Sequence, residues 1–330
     1  MLTAHDAERQ DGAFIENPRG LHYNRPVVTA RLSIVIACVA ALGAGACEKK
    51  KPVTDTGAVN ALDRSTEDKG PVDKTPLPGI DPGKLSGERQ ELFYKLVGSL
   101  KSPCGKSHSL RTSFTQDTSC KRAPYAVKYV LQLLVDEIPD AKVREYYTQK
   151  YESTAKAAKL DVSKAPHIGK EDAPVRLVEF YDYACPHCQA FAPIMAKVAA
   201  DNEGKVVEYF LMFPLEASHP DSRSAAQASL AVWQTDPSKW EAFHHMLFER
   251  APQHNKDYVM QYAAQAGLDA GKFIEAYQGS NTQVNNDLEQ GKTNEVDSTP
   301  TLFFNDRRYQ GPMSPEYIGM WIEEELAVNR

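Results

Sequence analysis

Residues 185–188 read Cys185-Pro186-His187-Cys188, and no other stretch restricts the fold as strongly. Two cysteines two positions apart can close a small disulfide ring. They sit between a run with strand character, residues 175–183, and a run with helical character, residues 189–200. In the second run Phe191, Ile194, Met195 and Val198 fall on one side. A cysteine at a helix start meets unpaired backbone N–H groups and the positive end of the helix dipole, and both favour the thiolate. His187 can add a positive charge beside it. This pattern suggests thiol–disulfide exchange. The alternative is a metal-binding chaperone, with Cys185, His187 and Cys188 holding Cu(I) or Zn(II). A closed zinc site needs a second cysteine or histidine pair, and there is no second Cys-x-x-Cys. His244 and His245 are adjacent, so they point different ways on a helix and are expected at the surface.

The segments after the motif read as an α/β plan. Residues 205–213 form a second strand, and residues 217–291 are helical throughout. Within that block, 222–235, 240–250, 258–266, 272–277 and 284–290 carry helical periodicity. Residues 300–305 return to strand, 307–310 follow after a tight turn, and 314–326 close with a helix. Ser314 and Pro315 suit its N-cap and first turn. A β–α–β unit, a helical block, then a hairpin and a helix make an α/β fold with a helical insertion. Glu179 shares a strand face with Leu177 and Tyr181. A carboxylate in an apolar strand is costly unless it has a partner or lies at an exposed edge.

The run from Val178 to Cys188, the helical block, and Ser298-Thr299-Pro300 opening a later strand together resemble the DsbA family of thiol oxidoreductases. The likeness covers residues 165–330. It implies a thioredoxin fold with an inserted helical domain at about residues 217–291. It implies an exposed Cys185 as the nucleophile and a less exposed Cys188 as its partner, with Pro186 and His187 between them. Glu179 would lie beneath the buried cysteine and help move its proton. Pro300 would be cis and pack against the cysteine pair, where a trans proline opening an edge strand is the ordinary expectation. The backbone of Thr299 would face an extended substrate. The family needs no organic cofactor or metal. Its partners would be cysteine-containing exported proteins and a membrane redox partner. The expected role is an oxidant. Threonine before the cis-proline also occurs in isomerases and reductases of this fold, so a periplasmic disulfide reductase or isomerase is the alternative.

The first part of the chain bears on compartment. Residues 32–46 are apolar and small, preceded by Arg31 and ended by Cys47. The run is shorter than the ~20 residues of a spanning helix. It reads as the hydrophobic region of an export signal occupying residues 1–47. Ala44, Gly45 and Ala46 before Cys47 resemble a bacterial lipoprotein cleavage site, with Ala44 where leucine usually stands. That resemblance implies a lipid on Cys47 and a place on the periplasmic face of a bacterial membrane. Without the lipid, a soluble periplasmic protein is expected. The polar lead of residues 1–29 is unlike a signal, so translation is expected to start near Val27 or Val28. Residues 48–84 have few large apolar side chains and read as a flexible linker, spanning roughly 30–35 Å. The six cysteines then sort into Cys38 in the signal, Cys47, a possible Cys104–Cys120 pair, and Cys185 with Cys188. That usage fits an oxidising compartment. A formal net charge of −6 and no basic stripe argue against nucleic acid.

Residues 85–153 read as a small helical unit. Leu92, Phe93, Leu96, Val97 and Leu100 mark one helix. Val127, Val130, Leu131, Leu134 and Val135 mark a second opened by Pro124, and residues 140–151 a third. The run from Pro139 to Tyr146, with Lys150-Tyr151-Glu152, resembles cytochrome c maturation proteins of the CcmH type. Those carry paired loop cysteines, whereas Cys104 has no partner three residues away. A Cys104–Cys120 disulfide stapling a helical hairpin is the favoured reading, stabilising by ~3 kcal/mol. The cytochrome-maturation likeness feeds the reductase alternative.

Overall fold

The computed structural model describes residues 71–154 and 156–329. The signal, Cys38, Cys47 and most of the linker lie outside the described residues. Helices α1 (Gly87–Ser99), α2 (Leu110–Thr115), α3 (Ala123–Val135) and α4 (Asp140–Tyr147) come first, α4 loosening into a π turn at Thr148–Glu152. Strands β1 (His167–Ile168) and β2 (Val175–Tyr181) follow, then α5 (Pro186–Asp201) and β3 (Val206–Met212). The helical insertion is α6 (Ser222–Thr235), α7 (Trp240–Glu249), α8 (Lys256–Gln265), α9 (Ala270–Gly279) and α10 (Asn281–Thr293). The chain closes with β4 (Thr301–Phe304), β5 (Arg307–Arg308) and α11 (Pro315–Val328).

The sheet order is β1-β3-β2-β4-β5. β2 runs parallel to β3 and antiparallel to β4, with Leu177 opposite Glu208 on one side and Phe304 on the other. A strand flanked on both edges and covered on both faces is mostly apolar, and in β2 Arg176 and Glu179 are the exceptions. One face buries Leu177, Val175 and Phe304 against Phe191 and Met195 of α5 and Ile318 and Trp321 of α11. Further along that face, Tyr181, Phe210 and Met212 meet Trp240, Leu247 and Phe248 of the insertion. The opposite face packs Val178, Phe180 and Leu211 under Ala158, Leu160 and Val296. Gly291 of α10 lets that helix approach the sheet, since a Cβ there would stand 2.4 Å from the Phe213 ring.

The helices expected from periodicity are present, with ends moved by a few residues. The helix after the motif starts at Pro186 rather than at 189, because a proline in the first turn has no N–H to waste. The expected helix over 140–151 loosens at Thr148. α2 and β1 were not legible. α2 has six residues, four of them polar, and rests on Ser109, whose hydroxyl accepts from Thr112 N–H at 3.2 Å. It lies in the loop closed by the Cys104–Cys120 disulfide, whose Cα atoms are 5.8 Å apart.

Helices α1–α4 bury Phe93, Leu96, Val127, Val130 and Leu134 in their own core, to which α11 adds Tyr317. A buried ion cluster joins them to α11. Arg122 pairs with Glu324 and reaches Glu325 at 3.1 Å. Lys150 Nζ lies 3.0 Å from Glu324 and 3.4 Å from the Trp321 ring centroid, and the Tyr151 hydroxyl donates to Glu324 at 2.8 Å. Arg307 donates to Glu325 at 2.6 Å and to the Lys150 carbonyl at 2.9 Å. Burial pulls the Lys150 ammonium down to about 7, with Glu324 opposing that fall. Glu324 is only 1% exposed, and its removal leaves the enclosed Lys150 without its carboxylate while Arg122 keeps Glu325. We expect Glu324→Ala to cost ~3–5 kcal/mol in denaturant unfolding. A cost near that of an exposed ion pair would show that the cluster does not hold these helices in place.

Candidate active site

β2 ends at Tyr181, and its last turn is organised by Asp182. The Asp182 carboxylate accepts from Ala184 N–H at 2.8 Å and Leu215 N–H at 2.9 Å, and lies 2.7 Å from His219 Nδ1. Cys185 then serves as N-cap of α5, its own N–H donating to the Asp182 carbonyl at 3.1 Å. This turn places the Cys185 sulfur over the open N-terminus of the helix. The Thr299–Pro300 bond is cis, and the Thr299 carbonyl comes within 3.6 Å of Cys185 Sγ.

The two thiols are driven apart electrostatically. Cys185 is lowered to about 5, by the Cys188 thiol first, then by Thr299 and the backbone N–H groups of Cys188 and His187. Burial acts against this and does not win. Cys188 is pushed well above an ordinary thiol, by burial first, then by its contact with Cys185 and by the charge of Glu179. At neutral pH the reduced pair is therefore a thiolate and a thiol.

Glu179 is buried, and burial raises its carboxyl well above the ordinary range, with Glu208 raising it further. Glu208 on β3 is equally buried and is also raised, chiefly by burial. The parallel register puts Glu208 opposite Leu177, two residues before Glu179 on the same face. The two carboxyls lie close enough that each acts on the other's proton affinity. Glu208 Oε1 is buried without a hydrogen-bond partner. Both acids border a cavity of about 630 Å³ between the sheet, α5 and α7, whose walls include Met195, Phe210 and Phe248.

A family model described as Thioredoxin matches residues 161–324. Disulfide bond formation protein D of Bacillus subtilis is 30% identical over 177 residues, covering 49% of this chain and 77% of that protein. The chain belongs to the DsbA family of thiol–disulfide oxidoreductases. The crystal structure of oxidised BdbD from Bacillus subtilis is 29% identical and superposes with a TM-score of 0.48, covering 53% of this chain and 99% of that one. Na(+)/H(+) antiporter NhaA 1 of Mycolicibacterium gilvum is 31% identical over 148 residues, 44% of this chain. That likeness spans 24% of the antiporter and carries nothing about transport.

This DsbA-family site departs from the sequence reading in three places. Cys185, expected to be exposed, is 5% accessible, because the Thr299 carbonyl stands against its sulfur. It is still the more accessible of the pair, Cys188 being fully enclosed. His187 is exposed, and the group it turns toward Cys185 is its backbone N–H. His244, expected at the surface, is buried. Its Nδ1 lies 2.8 Å from the Tyr183 hydroxyl, which is also 2.8 Å from Ser229 Oγ. Rings of Tyr181, Phe210, Trp240 and Phe248 surround it, and burial lowers its imidazole to about 3. A neutral His244 therefore ties the insertion to the turn between β2 and the cysteines. Asp182 and Glu208 were not singled out from sequence. Each is an acid inside an otherwise apolar strand context, the same signal that marked Glu179. Among the described residues, no cluster of three or more His, Cys, Asp or Glu side chains is arranged to hold a metal.

Proposed function

We propose that this chain is an exported, lipid-anchored dithiol oxidant that passes the Cys185–Cys188 disulfide to the thiols of exported proteins. The observation that carries this reading is the contrast between the two sulfurs: Cys185 ionises near 5, while Cys188 is enclosed and held as a thiol. A thiolate stabilised in the reduced protein makes the disulfide a stronger oxidant and Cys185 a better leaving group.

A substrate thiolate attacks Cys185 Sγ, the Cys185–Cys188 bond breaks, and Cys188 leaves. Its high proton affinity means that it must be protonated as it goes. Glu179, with Glu208 beside it, supplies that proton, and the cavity gives the pair a route to solvent. The second substrate thiolate then attacks the substrate sulfur of the mixed disulfide, and Cys185 leaves as its stabilised thiolate. The substrate is oxidised by two electrons and the pair is reduced by two. A membrane redox partner takes those electrons and restores the disulfide. Thr299 and Pro300 line the place where the substrate sulfur must approach. The lipid at Cys47 and the linker after it would let the domain reach large clients near a membrane. Among the described residues, no helix is long and apolar enough to cross one.

The reading is tested by acid quenching of intact cells followed by alkylation. A pair found mostly oxidised supports the oxidant. One found mostly reduced points to the reductase or isomerase alternative.

A further inference from the structure

We infer that α4, an element outside the region matched by the thioredoxin family model, forms one wall of the substrate cleft and selects the residues flanking the reacting cysteine. The inference rests on the dithiol-exchange reading and adds to it a place where a client chain is held. A groove of about 240 Å³ begins at Pro300, one residue from the carbonyl that contacts Cys185 Sγ. One side is built by β4 and the segment after β5, with Tyr309 and Met313. The other side is Lys142, Glu145 and Tyr146 of α4. Two distant parts of the sequence therefore meet beside the cis Thr299–Pro300 bond.

The chemistry of the walls fits an extended polypeptide. The volume is below the ~300–1,000 Å³ of small-molecule sites and suits one or two side chains of a longer chain crossing the surface. Met313 is 38% exposed and offers an apolar surface at the lip. Lys142 Nζ lies 4.7 Å from the Tyr146 ring centroid and 2.7 Å from Glu145, so the opposite wall offers both a ring and a charged pair. The occupant this fits is a cysteine-bearing segment with an apolar side chain near the cysteine and polar groups beyond it. The wall is held in place before substrate arrives. Lys150, at the end of the same helical run, is locked to Glu324, and Tyr317 of α11 donates to Asp136 beyond α3 at 2.6 Å. A preset wall lowers the ordering cost of binding.

The test is single-turnover oxidation of two probes by the oxidised full chain: reduced, unfolded ribonuclease A, and dithiothreitol, which is too small to reach α4. We expect Tyr146→Ala and the surface change Lys142→Glu each to weaken the reaction with ribonuclease about tenfold, as a raised half-saturation rather than a slower limiting rate. Dithiothreitol should react at the wild-type rate. Loss of both reactions together, or of neither, overturns the inference. Lys142→Glu decides the matter if Tyr146→Ala fails to fold. A wild-type protein that oxidises neither probe would instead overturn the exchange reading beneath it.

Discussion

Cys185→Ser will reduce dithiol–disulfide turnover to that of a protein-free control, and Cys188→Ser will stop the reaction at a stable mixed disulfide. The asymmetry follows from where each sulfur sits. In Cys185→Ser the surviving thiol is fully enclosed and its proton is held tightly by burial, so it is neither reachable nor ionised. In Cys188→Ser the surviving sulfur keeps Thr299 and the backbone N–H groups of residues 187 and 188, which still hold it below an ordinary thiol and favour its thiolate. It will capture substrate disulfides, and no neighbouring thiol can release it. Non-reducing electrophoresis of the two variants after mixing with an oxidised client reads both outcomes. Mixed disulfides formed by Cys185→Ser, or turnover retained in it, would reverse the assignment of nucleophile.

Glu179→Gln will slow the step in which Cys188 leaves by ~10²-fold, within the usual range for a positioned acid. Glu208→Gln will act through Glu179. Without the second carboxylate, the Glu179 carboxyl falls toward its ordinary range and gives up its proton at lower pH. The alkaline limb of the rate profile, where Glu179 loses its proton, must then move to lower pH. The double variant should be no slower than Glu179→Gln alone, since the pair works as one unit. Stability gives an independent readout with a fixed sign. Both carboxyls bind protons more tightly folded than unfolded. Their contribution is complete below the ordinary carboxylate range and is lost as pH rises through their raised values. Either glutamine variant should therefore gain thermal stability over wild type as pH increases. Unshifted rate profiles with a pH-independent stability difference would leave the pair a structural feature only.

The residues legible in the sequence were those that a local pattern could carry. Cys185 and Cys188 announce themselves by spacing, Glu179 by its apolar strand, and Pro300 by opening a later strand. What was not legible depends on contacts between distant segments. Glu208 is one acid in an apolar run until the register of β2 on β3 sets it beside Glu179. His244 looks like a surface residue until the rings around it are assembled. The shielding of Cys185 comes from a loop 114 residues away. The cluster of Arg122, Lys150 and Glu324 spans 202 residues, and its members read singly as ordinary surface charges.

The equilibrium potential of the Cys185–Cys188 couple against glutathione, followed from pH 4 to pH 8, tests the central claim most directly. Reduction of a disulfide takes up two protons when both thiols form, but only one when Cys185 stays a thiolate. The account predicts a potential well above the ~−270 mV of thioredoxin, with a pH slope of about 30 mV per unit above pH ~5 and about twice that below it. A potential near that of thioredoxin, with the two-proton slope persisting through neutral pH, would contradict it.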